Sequence, residues 1–140
     1  SDMKTIVGVK EGSGSVQQAS DIVQLCGDRL TVLAGDDSLT LPMMAVGGKG
    51  VITVTANIVP MAMAGLVKAF AEGRIDEARR IHFKLSPLFA ALFYETNPIP
   101  VKEALGLMSK IDPELRLPLC PMAQDTRENL IRVLKDAALI

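Results

Sequence analysis

Three short apolar runs limit what this chain can fold into. Thr5–Lys10, Leu30–Ala34 and Val51–Val54 are rich in β-branched and aliphatic residues, with longer amphipathic segments between them. Short buried strands alternating with helices predict a parallel α/β sheet, since parallel neighbours need a crossover long enough to hold a helix. The punctuation agrees. Ser15-Val-Gln-Gln18 has the form of a capping box, and Gly27 stands where its helix would close. Asp37 is expected to cap a short helix that carries Pro42 and stops at Gly47-Gly48.

After the third run the pattern is helical throughout. Val59, Met63, Leu66, Val67 and Phe70 recur at helical spacing, and Gly73 follows as a stop. Ala78, Ile81, Leu85, Leu88, Phe89 and Leu92 mark another helix, which Pro87 is expected to kink or break. "NPIP" (97–100) reads as a rigid connector, with Pro100 in the first turn of the next helix. The last helix opens at Asp125-Thr-Arg-Glu128, a second capping-box pattern, and should bury Leu130, Val133, Leu134 and Ala137.

Composition removes several function classes. The net charge is −1 and aromatics are 4%, so there is neither a basic stripe nor a stacking platform for nucleic acid. No apolar run approaches the roughly 18 residues of a membrane span, and no secretory signal is expected. Cys26 and Cys120 form no metal-binding pattern and are expected to stay reduced in a cytoplasm. Hydrophobic residues reach 49%, which hints at apolar surface that needs cover from elsewhere.

The stretch "TIVGVKEGSGS" (5–15) carries two chemical readings. Gly12-Ser-Gly14 after a strand, with Asp36 ending the next one, outlines a dinucleotide fingerprint, but Gln17 occupies the third glycine position. A tight strand-to-helix turn accounts for these glycines. "VGGKG" (46–50) fails as a phosphate loop, because Gly50 stands where Ser or Thr must hold magnesium. Lys49 then reads as a solvated loop charge.

The second reading concerns Lys10. Alternation puts Ile6, Gly8 and Lys10 on one strand face and points Glu11 to the other. At the carboxyl end of a parallel strand, a lysine sits where α/β folds place their sites. A desolvated amine loses its proton more easily and can attack a carbonyl to give a Schiff base. A strand-end lysine reaching into solvent fits the same pattern, and periodicity leaves both open.

Together, "IVGVKEGSG", "GDD" at 35–37, "GGKGVITVTANIVP" at 47–60, "NPIPVKEAL" at 97–105 and "LRLPLCP" at 115–121 resemble the C-terminal half of the dihydrodipicolinate synthases, over the full chain and in order. N-acetylneuraminate lyases share the lysine strand, and "GDD" and "NPIPVK" favour the synthases. The resemblance implies an α/β fold, the last three strands of a (β/α)8 barrel followed by C-terminal helices. Residues 1–73 would be the last three βα units and 74–140 a helical region of the same domain.

It implies that Lys10 is the Schiff-base lysine, that Gly35 lies beside the substrate, that Ile52 contacts pyruvate, and that Val54 lines the same wall. It implies condensation of pyruvate with aspartate semialdehyde in lysine biosynthesis through a covalent imine, with no metal or organic cofactor. It gives Tyr94 a packing role in a helix. His82, a lone histidine on an Arg- and Lys-rich helix, reads as a surface or boundary residue.

A full barrel takes about 250 residues, and three strands cannot close one. The expected partner is therefore the N-terminal half of the same enzyme, as a nicked fragment or a segment outside this chain. "SDMKT" (1–5) begins just before a strand, where an exposed loop is cut easily. The alternatives are a truncated half barrel that pairs with itself and a half that assembles without turnover. The completed enzyme is expected to be a homotetramer, with Val16 and Val46 at a subunit interface.

Overall fold

A computed structural model describes residues 3–140; Ser1 and Asp2 of the opening segment lie outside the described residues. Three parallel strands, β1 (Gly8–Glu11), β2 (Thr31–Ala34) and β3 (Gly50–Val51), form one sheet in that order. Gly8 pairs with Thr31, Lys10 with Leu33 and Leu33 with Gly50. The expected boundaries shift in all three strands, β2 only by starting at Thr31 rather than Leu30. β1 starts at Gly8 rather than Thr5 and takes in Glu11. β3 is only two residues long, so Val54 lies beyond the strand. Its ladder ends where Ile52 N donates to Ala34 O at 2.9 Å.

Helices α1 (Val16–Cys26) and α2 (Thr40–Ala45) cover one face of the sheet. Ala19 and Met43 meet Val32 and Ala34 in a buried cluster there. Val16 and Val46 are half-buried against this cluster. The opposite face is open: Gly8, Lys10, Thr31 and Ile52 are exposed along it. The strand alternation therefore sorts the residues as the sequence predicts, and the second face is only partly covered within the described residues, with Leu33 half-buried and Gly50 buried on it.

The caps show which local signals decide. Ser15 accepts a bond from Gln18 N at 3.1 Å, and Gly27 closes α1 with φ +54°. Gln18 does not complete the box; its side-chain amide donates to Glu11 Oε1 at 3.2 Å. Asp36, not Asp37, caps the single turn at Asp37–Leu39, accepting from Ser38 N at 2.8 Å. Asp37 turns inward instead.

Helices α3 (Pro60–Ala71), α4 (Ile75–Ala91), α5 (Ile99–Leu107) and α6 (Gln124–Asp136) form the second layer. Pro87 does not break α4. Leu85, Leu88 and Phe89 around it are buried against α3 and the C-terminal cluster, and that packing outweighs the lost backbone bond. Leu88, Leu92, Ile99, Val101, Leu130 and Leu134 form that C-terminal cluster.

Arg127 Nε donates to Glu103 Oε1 at 2.6 Å, tying α6 to α5. The Asp125 capping box does not form. Ala123 occupies the N-cap, and its N–H donates to Glu95 Oε1 at 2.9 Å. Ala137 is exposed, and so is Tyr94, which lies in the bend after α4 rather than packed in a helix. Cys26 and Cys120 are free, and among the described residues no helix is long and apolar enough to cross a membrane.

Candidate active site

The open face of the sheet carries the candidate site. Lys10 leaves β1 one residue before Glu11, and the two side chains go opposite ways. Glu11 is 2% exposed; its Oε1 accepts from Ser13 N at 2.8 Å and from the Ser13 hydroxyl. These bonds fold Gly12–Gly14 into the strand-to-helix turn, with Gly14 at φ +81°. Glu11 therefore fixes the end of the strand from behind, and Lys10 makes no ion pair with any described residue.

Lys10 opens into a groove of about 360 Å³. Ile52, Thr53, Val54 and Asn57 enter it from the segment after β3, Asn97 from the turn before α5 and Lys102 from the first turn of α5. The structure thus brings Lys10, Ile52 and Val54 to one groove. Gly35 is not part of its lining but lies against the lysine stem. A Cβ there would come within 2.5 Å of Glu11 O, 2.8 Å of Gly12 Cα and 3.0 Å of Lys10 Cε. Close backbone approach explains the glycine: Gly35 N donates to Glu11 O at 2.6 Å.

Periodicity leaves a desolvated and a solvent-reaching lysine open, and within this chain the second holds. Lys10 is exposed rather than shielded from water, because only one edge of its strand is paired and the face it occupies has no second wall. The amine has access and room for a small ligand, but the described residues do not desolvate it.

Thr53, Asn57, Asn97 and Lys102 are groove residues that residue-by-residue reasoning did not single out. "NPIP" (97–100) reads as a connector and Lys102 as part of the helix after it, so only their place in the quoted motifs marks Asn97 and Lys102. Asn57 Nδ2 donates to Val54 O at 2.9 Å, and Lys102 Nζ donates to the Glu114 carbonyl. His82 lies elsewhere, between the rings of Phe83 and Phe89 at centroid distances of 5.5 and 5.6 Å. No group of three or more His, Cys, Asp or Glu side chains among the described residues is arranged to hold a metal ion.

The model of the dihydrodipicolinate synthetase family matches residues 1–137. The chain belongs to this family. A family relative, the 4-hydroxy-tetrahydrodipicolinate synthase of Thermodesulfovibrio yellowstonii, is 55% identical over 135 residues, covering 96% of this chain and 46% of the relative. The crystal structure of the dihydrodipicolinate synthase from Aquifex aeolicus superposes with a TM-score of 0.96 at 45% identity, over 99% of this chain and 47% of that one.

The chloride-inhibited dihydrodipicolinate synthase from Acinetobacter baumannii, complexed with pyruvate, superposes at 0.94 and 38% identity, over 99% and 48%. The chain spans about half the length of the relatives it matches. It is an α/β unit, a three-stranded parallel sheet with helices, that corresponds to the C-terminal part of the dihydrodipicolinate synthase structures.

Proposed function

We propose that this chain supplies the Schiff-base lysine of a 4-hydroxy-tetrahydrodipicolinate synthase, and that the N-terminal half of the enzyme completes it. The observation that carries the reading is the placement of Lys10. Its amine opens into a groove with Ile52 and Val54, Gly35 abuts its stem, and no carboxylate among the described residues pairs with it. The family membership and the pyruvate complex of the Acinetobacter relative support the same reading.

In this mechanism the neutral Lys10 amine attacks the pyruvate ketone, and loss of water leaves an imine. The imine nitrogen draws electrons, the methyl group loses a proton, and an enamine forms. The enamine carbon bonds to the aldehyde carbon of aspartate semialdehyde, whose oxygen takes up a proton. The semialdehyde's own amine then closes the ring on the former keto carbon, and the Lys10 amine leaves. The covalent imine does the electron-sink work here, and the reading includes no metal or organic cofactor. Ile52 and Val54 form an apolar wall for the three-carbon guest, and Gly35 leaves the space in which the lysine stem turns.

The N-terminal half has two tasks in this account. It pairs with the open edges of β1 and β3, and it walls off the exposed lysine so that the amine is desolvated. The completed enzyme is read as a cytoplasmic homotetramer. Phe83, 68% exposed beside Pro42, Ala45 and Ile75, is a better interface candidate than Val16 or Val46.

The test is complementation: this chain is mixed with the N-terminal half of the Thermodesulfovibrio relative and assayed with pyruvate and aspartate semialdehyde. Turnover that needs both pieces and is lost in Lys10→Ala is expected. A well-formed complex with no turnover would leave only the assembling, non-catalytic half.

A further inference from the structure

The groove wall that Lys10 shares with Ile52 and Val54 extends past the end of the sheet. β3 stops at Val51, and the last ladder bond is the one from Ile52 N to Ala34 O. Val54 and Asn57, which line the groove, lie beyond that bond. Local bonds, such as that from Ala56 N to Thr53 Oγ1 at 3.1 Å, shape this turn but do not attach it to the rest of the sheet.

Val54 and Ala56 pack against the helical clusters, and among the described residues one buried carboxylate hydrogen-bonds the turn back to the loop after β2. Asp37, 2% exposed, accepts from Thr55 N at 2.8 Å and from Thr55 Oγ1 at 2.7 Å, both on Oδ2. Thr40 Oγ1 donates to the Asp37 carbonyl at 2.8 Å, and both threonines are fully buried. Asp37 follows Gly35 by two residues, and Thr55 sits between Val54 and Asn57. The bond pair therefore ties the loop that abuts the lysine stem to the loop that forms the groove wall.

We infer that Asp37 is a positioning residue for the Lys10 chemistry, setting the Val54–Asn57 wall against the amine through Thr55. The inference rests on the reading of Lys10 as the imine-forming lysine. Charged acceptors make shorter and stronger bonds than neutral ones, so a carboxylate holds this turn more tightly than an amide would. A misplaced wall weakens capture of the keto acid even when the lysine itself is intact.

The experiment is borohydride trapping over a range of pyruvate concentrations, on this chain complemented with the N-terminal half of the Thermodesulfovibrio relative. Thr55→Val keeps the shape and the N–H bond and removes only the hydroxyl bond. It is expected to raise the half-saturating pyruvate concentration by about 10- to 100-fold in the folded fraction. Thr55→Ser restores it, and Asp37→Asn falls between the two. A merely structural role would lower the melting temperature and leave half-saturation where it was, and that result overturns the inference while Lys10 stands. A wild-type complex that traps no pyruvate overturns the Lys10 reading and this inference with it.

Discussion

Gly35 holds the least tolerant position around Lys10. A methyl group there would meet two backbone atoms closer than 3 Å and the lysine Cε at 3.0 Å, so β2 and the turn after β1 must part to admit it. Gly35→Ala should cost about 1–3 kcal/mol in urea unfolding, as overpacking does, and abolish pyruvate capture at Lys10. Equal capture in both proteins would mean the backbone yields more easily than the geometry allows. His82 gives a second prediction at this scale. Burial beside Phe83 and Phe89 pushes its imidazole below the usual histidine range, and its Nδ1 has no hydrogen-bond partner among the described residues. The unfolded chain therefore takes up the proton first as pH falls. The His82 contribution to stability is complete above about 6.5 and declines as pH drops through and below that value. A melting temperature that falls between pH 7 and 5, with a shallower fall in His82→Phe, is expected; identical slopes would assign the acid sensitivity to other groups.

At the scale of elements, the C-terminal helices depend on one another rather than on local propensity. Leu130 is fully buried in the cluster that joins α6 to α4 and α5. Leu130→Ala should cost about 2–5 kcal/mol by urea unfolding, against about 1 kcal/mol for removing the Ser15 cap of α1. A smaller loss at Leu130 than at Ser15 would show that α6 is dispensable to the fold. The same contrast explains what the sequence made legible. Ser15, Gly27 and the alternation of Lys10 with Glu11 are contacts within a few residues, and period and cap chemistry reveal them. Asp37 and Glu95 find their partners 18 and 28 residues further on, at Thr55 and Ala123, so no local pattern could separate them from ordinary caps. Pro87 reads as a breaker because its neighbours' burial against α3 is invisible in the helix's own sequence. The groove was legible in part. Strand periodicity placed Lys10, and the family resemblance supplied Gly35, Ile52 and Val54. Asn57 and Asn97 meet only because the chain returns to the strand ends at α5.

For the whole molecule, the open sheet face and the exposed Lys10 have one cause: both stand where a barrel would continue, in a chain about half as long as its relatives. The proposed function calls for a partner at those edges and reads the completed enzyme as a tetramer. Phe83→Asp should lower the sedimenting mass of the complemented enzyme without releasing the N-terminal half, and an unchanged mass would place the interface elsewhere. The central claim concerns the Lys10 amine. The complex is incubated with pyruvate, reduced with borohydride, digested and mapped by mass spectrometry. The account predicts one reduced pyruvate adduct, on the peptide that contains Lys10, and none in Lys10→Ala. An adduct on Lys102 or another lysine that persists without Lys10, or no adduct in a fully assembled complex, would contradict it.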